Sequence, residues 1–282
     1  MDAPPKIIDR AGALDALSSA LGMPVIAVVA GWAGERRVDF GEDALRAFLH
    51  VFDAELAHQG AAKTDEVAIF LVGRGGFPEF AQGICRALRG RKIRATALIP
   101  AQINATFTLA ALGMDKRLMH PYAALGAYDL PALGGARGKP PRQAHHTRQL
   151  LGRLLGKTGA QSSPDAPIQG SAELELSTTM LGPHLALDAA QLNALGIASQ
   201  LANPQQAALI WQLYEFYEQA FQVLHPAVPR YTESEIGDEV EFSPAMELTG
   251  ALIEGAQRTF VYELDTARPD PESGMLDGAW NW

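Results

Sequence analysis

Serine is missing from the chain between Ser19 and Ser162. That whole stretch therefore cannot supply a serine nucleophile for acyl transfer. Cysteine is nearly absent as well: Cys85 is the only one in 282 residues, so no internal disulfide can form, and no histidine and cysteine cluster has the spacing of zinc ligands. A reducing, cytoplasmic setting is expected, with neither a metal nor a cofactor. Long apolar runs are lacking too. The longest, 24–31 and 67–73, have the length of strands and are far too short to cross a bilayer. The opening residues Met1-Asp2-Ala3-Pro4-Pro5-Lys6 show no basic region leading into an apolar run, so a soluble chain without membrane association is the expectation. Positive charge is in deficit, with 23 Lys and Arg against 32 Asp and Glu and a net charge of -9. Such a field repels nucleic acid and anionic lipid, which argues against both as partners.

What is present suffices for a large core, since 48% of the residues are hydrophobic. Residues 24–31 form a β-branched run closed by Gly31, as in a buried parallel strand. Leu45, Phe48, Leu49, Phe52 and Leu56 then recur at helical spacing. Residues 67–72 read as a second strand, and Phe80, Ile84 and Leu88 as a helix ending at Gly90. A third strand at 93–99, a short apolar helix at 106–112 and a brief strand at 116–119 follow. Strands alternating with helices predict an α/β fold built on a parallel sheet with flanking helices.

Further along, residues 134–161 form a basic stretch in which Arg137, Lys139, Arg142, Arg148, Arg153 and Lys157 meet no acidic residue, read as a surface loop, with an anion or nucleic-acid contact as the alternative. A short helix at 187–195, a long aromatic one from Pro204 to Leu224 and a last helix from Met246 to Phe260 complete the pattern. The long helix carries Trp211, Leu213, Tyr214, Phe216, Tyr217 and Phe221 around most of its circumference, which suits either internal core or a subunit contact. The expected organisation is a core over 1–133, a basic linker over 134–170, a continuation of the core over 171–225, and a helical C-terminal extension with a tail over 226–282.

Chemistry concentrates in two segments. Gly75 and Gly76 follow the second strand at a helix entrance, where N-H groups unobstructed by side chains can meet developing negative charge. A simple turn uses glycines in the same way. About thirty residues on comes Pro100-Ala101-Gln102-Ile103-Asn104-Ala105-Thr106-Phe107-Thr108, leading into an apolar helix that ends near Asp115. The order and spacing of these segments, with Leu125 to Pro131 and Ala189 to Ile197, resemble the serine dehydrogenase proteinase family of the ClpP/crotonase superfamily.

The resemblance implies a ClpP/crotonase-like fold, a homo-oligomer and an oxyanion hole at Gly75 and Gly76. It aligns Ala105 with the family's nucleophilic serine, Thr108 with a motif threonine, and Phe107 with a glycine. An alanine methyl has no lone pair, so acyl transfer through this position is impossible. The bulk of Phe107 is expected to disturb the oxyanion corner. The site is therefore expected to be catalytically degenerate, flanked by Asn104 and Thr106, with His120 and Asp129 as further candidates.

A peptidase-like scaffold, peptide-binding or regulatory protein is the leading expectation, with a peptide or protein partner. Two alternatives stay open: a peptidase using another nucleophile, Thr106, Thr108 or Cys85, and a crotonase-like enzyme that stabilises a thioester enolate at Gly75 and Gly76 with Glu79 as its base. His145, His146 and His184 are weaker candidates, the first two read as surface residues of the basic loop.

Overall fold

The computed structural model describes residues 9–33, 36–37, 40–58, 65–128, 186–221, 248–269 and 276–281. The basic loop, Asp129, His145, His146 and His184 lie outside these residues, as does the whole of the expected linker over 134–170.

In chain order the elements are α1 (Arg10–Leu21), β1 (Val25–Ala30), β2 (Trp32–Ala33), β3 (Arg36–Arg37), α2 (Glu42–His58), β4 (Glu66–Val72), α3 (Pro78–Gly90), β5 (Arg94–Ile99), β6 (Gln102–Ile103), α4 (Thr106–Leu112) and β7 (Lys116–Met119). Then come β8 (Ala124–Gly126), β9 (Ala186–Leu187), α5 (Ala189–Ala194), β10 (Gln200–Leu201), α6 (Pro204–Phe221), β11 (Leu248–Glu254), β12 (Thr259–Pro269) and β13 (Leu276–Asn281). An eight-stranded sheet runs in the order β10-β7-β5-β4-β1-β11-β12-β13. The first five strands are mutually parallel, and the last three join antiparallel through β1. A three-stranded sheet, β6-β8-β9, sits beside it.

The central strands are apolar along their whole length because both of their faces are covered. On β1, Ile26, Val28 and Ala30 join the core under α2, α3 and α4, while Val25, Ala27 and Val29 join the core under α1 and α6. On β4, Val67, Ile69 and Leu71 divide from Ala68, Phe70 and Val72 in the same way. This period-two division is what an α/β/α sandwich dictates. Phe48 and Phe52 from α2 are fully buried on the first face, each worth about 1.5–3 kcal/mol relative to exposure.

Two expectations change. From Leu248 onward the helix expected over Met246 to Phe260 is not formed, and the described part of the C-terminal extension, 248–269 and 276–281, is the strand run β11, β12 and β13. Leu248, Ala251, Leu252 and Ile253 fit a helical spacing on paper. In the fold Ala251 and Ile253 face one core and Leu252 the other, so β11 is buried on both sides and shows no polar alternation. The segment at 187–195 likewise divides into β9 and α5, because Asp188 caps the helix with a reciprocal Gln191 capping box.

The aromatic helix α6 turns Ala207, Ile210, Leu213, Tyr214 and Tyr217 into the core against α1, leaving Trp211 and Phe216 partly buried at its edge. Among the described residues no helix is long and apolar enough to cross a membrane.

Candidate functional site

In parallel α/β sheets ligands gather at the carboxyl ends of the strands. Here β4 is followed there by Gly73 to Gly76, β5 by Pro100 to Ala105, and β7 by His120. The first two segments are joined directly by Asn104 N-H, which donates to the Gly73 carbonyl at 3.2 Å, while Ala105 N-H ties the second to the end of β8 by donating to the Ala127 carbonyl at 2.8 Å.

Ala105 stands at the turn into α4 with φ 51 and ψ -121. Among the described residues, only Lys92 shares its positive φ without being glycine. Alanine in such a conformation is strained by about 1–3 kcal/mol, and it persists only where the surroundings over-determine it. A strand-to-helix elbow of this kind is how some hydrolases project a nucleophile from the top of a sheet. The elbow is present here and ends in a methyl group.

Neighbouring side chains lock the corner. A Cβ at Gly73 would overlap the Phe107 ring. Phe107 is 1% exposed, so its ring lies in the core beneath the glycine turn, 5.5 Å from Phe40. Phe40 in turn stacks edge-on with Phe80 at 4.9 Å, lies 5.6 Å from Trp280, and accepts the Phe77 N-H through its carbonyl at 2.9 Å. Gly76 has φ 94, and a Cβ there would stand 3.3 Å from the Thr106 Cβ and 3.2 Å from the Phe40 nitrogen. Gly75 is buried and Gly76 half-buried. The glycine turn and the elbow are therefore in contact.

The polar groups differ in how far they are satisfied. The Thr108 hydroxyl lies 3.2 Å from the Ile103 carbonyl and 3.1 Å from that of Gly126, which commits its single proton. Buried Asn104 holds its amide oxygen against Gly126, 3.3 Å from the Gln102 amide nitrogen. The Thr106 hydroxyl, by contrast, is sealed from solvent and has no hydrogen-bond partner among the described residues. Among the described residues neither threonine shares a hydrogen bond with a base. Cys85 is buried on α3 with its thiol pushed up to about 11, first by burial, so it stays a thiol at neutral pH. Glu79 is exposed in the first turn of α3.

His120 lies at the end of β7 and makes no hydrogen bond or ring contact with residues 104–108. Its Nδ1 accepts the Tyr122 N-H at 3.2 Å, and its ring stacks on Trp211 at 4.8 Å and 26°. Burial holds its pKa below 6.5. The sequence marks Trp211 only as one aromatic of a long helix. Its pairing with His120, like Phe40 behind the glycine turn, depends on tertiary contacts that no local spacing signals. Among the described residues no group of three or more His, Cys, Asp or Glu could hold a metal ion.

Taken together, the carboxyl end is the corner of an α/β protein with a glycine turn, a strained elbow and no nucleophile at its tip. Among solved structures the chain is similar to an alanine mutant of the 1510-N membrane-bound stomatin-specific protease, with 20% identity and a TM-score of 0.44 over 57% of this chain and 74% of that one. A second alanine mutant of that protease, in complex with a substrate peptide, gives 19% and 0.44 over 64% and 75%. ClpP1 from Listeria monocytogenes gives 14% and 0.41 over 69% and 96%. No protein-family model and no curated protein matches the chain. Function is therefore read from the chain's own geometry.

Proposed function

We propose that this chain is a non-hydrolytic homologue of the ClpP and serine dehydrogenase proteinase type of peptidase, which binds peptides at the elbow and serves an oligomeric assembly as a scaffold or regulator. The observation that carries the reading is the backbone of Ala105. An alanine has no need of φ 51 and ψ -121 for its own sake. The strain marks a position whose geometry is imposed by a binding corner, while the methyl group rules out acyl transfer through it. The Thr106 hydroxyl beside Gly76, sealed and without a partner among the described residues, supports the same reading, because a buried polar group is left unsatisfied where the surrounding backbone is held under constraint.

The test is fluorophosphonate labelling together with casein cleavage, on wild type and Ala105→Ser. Neither form is expected to cleave casein efficiently, and only the serine variant is expected to label. Phe107 is kept in both, since its ring fills core volume under Gly73. Casein cleavage by wild type would place the chemistry on another residue and end the proposal.

A further inference from the structure

We infer that His120, Tyr122 and Trp211 form a specificity subsite for an extended peptide, in which His120 Nε2 donates to a main-chain carbonyl and the rings flank the apolar side chain next to it. The inference rests on the peptide-binding reading and extends it from the elbow to the end of β7.

Its basis is one fixed, unfilled donor. Because Nδ1 accepts the Tyr122 N-H at 3.2 Å, the proton of the neutral imidazole is on Nε2. Stacking on Trp211 at 4.8 Å and contact with Tyr122 at 5.1 Å set the plane of the ring. His120 is only 7% exposed, yet Nε2 has no partner among the described residues and is not one of the polar atoms sealed from solvent. A donor held in one direction loses little freedom on binding, so its hydrogen bond is gained at low entropic cost.

The surroundings decide what the donor takes. The Trp211 indole N-H is committed to Glu215 at 2.9 Å and leaves Nε2 unopposed. Tyr122 is 75% exposed and meets Trp211 at 5.7 Å and 76°, so most of its ring faces outward. Glu215 and Glu218 lie on the same helix, while the positive charge of Arg74 reaches Tyr214, which packs on Trp211 at 5.2 Å, so the surroundings favour a charged ligand of neither sign. A single neutral donor between aromatic rings therefore fits an uncharged carbonyl with an apolar neighbour, as a peptide main chain presents.

The experiment uses the full chain and short fluorescein-labelled, amide-capped peptides that differ at one central residue, Phe, Leu, Ser, Glu or Lys, with binding read by fluorescence anisotropy. The Phe and Leu peptides are expected to bind wild type best. His120→Phe keeps a stacking ring without the donor, and Tyr122→Ala removes an exposed ring. Each is expected to weaken binding about tenfold. His120→Gln returns an amide donor near the Nε2 position and is expected to stay within about threefold of wild type. Thermal unfolding shows that each variant is folded, and a peptide-dependent shift of the His120 Nε2 resonance in wild type reports the contact directly.

If wild type binds peptides and both His120→Phe and Tyr122→Ala bind equally well, the subsite is wrong while the peptide reading stands. If wild type binds none of the peptides, both fall.

Discussion

The two ends of the parallel strands differ in that only the carboxyl end, beside its paired Thr108 and Asn104, also holds polar groups without a partner among the described residues. In the amino half, Arg117 on β7 is 3% exposed and donates to the carbonyls of Ala111, Leu112, Met114 and Ala198 at 2.7–3.0 Å, closing the C-terminal end of α4 and tying β7 to the approach to β10. Burial there lowers its pKa to about 10, still well above neutrality, so the charge is kept. Glu254, equally buried on β11, accepts from the Tyr217 hydroxyl, from Arg10 at 2.9 Å and from Thr259 at 3.4 Å, which clamps α1, α6 and β12 together. At the carboxyl end the Thr106 hydroxyl and His120 Nε2 have no partner among the described residues, and Ala105 has a strained backbone. Saturated buried polar groups stabilise a fold. Unsaturated ones beside a strained turn are what a binding site leaves open.

That contrast can be broken from either end. Arg117→Met would strip the donors from four carbonyls, and a loss of about 3 kcal/mol or more in urea unfolding is expected. Wild-type stability in this variant would show that the saturated end carries no weight. Phe107→Ala should cost about 3–5 kcal/mol by opening a cavity beneath Gly73. A cost near zero would place the ring in the mouth of the corner instead of the core.

Tyr217→Phe removes one acceptor interaction from Glu254 and should cost about 1–3 kcal/mol. Burial, the largest cause, raises the Glu254 and Glu55 carboxyls above 4.5. A raised carboxyl binds protons more tightly in the folded state, so the stability it confers is complete below that value and is lost as pH rises through the raised folded pKa. Glu254→Gln should therefore gain on wild type, in urea midpoint, as the pH climbs from 4.5. A gap between the two that stays constant with pH would contradict the raised value.

The smallest effect concerns the strain itself. Ala105→Gly should stabilise the protein by about 1 kcal/mol, because glycine adopts this backbone freely. Destabilisation would mean that the elbow is not strained.

Much of the sheet was legible. The apolar runs at 24–31 and 67–72 became β1 and β4 because strands covered on both faces need no polar residues. The spacing of Phe80, Ile84 and Leu88 became the buried face of α3. The same two-sided burial hid β11, since without alternation a short apolar run reads equally well as a helix. At the site, the position of Ala105 after β5 was legible from its motif. The burial of the Phe107 ring against Gly73 was not legible, because a sequence gives the size of a side chain and not the side of the turn to which it points.

The sequence by itself determined the chemistry that is impossible here: a stretch without serine cannot form a serine acyl-enzyme, and a lone Cys85 cannot form an internal disulfide. It also determined where the main strands and helices of the parallel half lie, since periodicity is a local property. Tertiary packing alone sets the extension of the sheet by 248–269 and 276–281, the positive φ of Ala105, and the fixing of His120 by Trp211 from a helix some ninety residues away in the chain. These outcomes depend on pairings between distant segments, whose energies arise only when the chain has closed on itself.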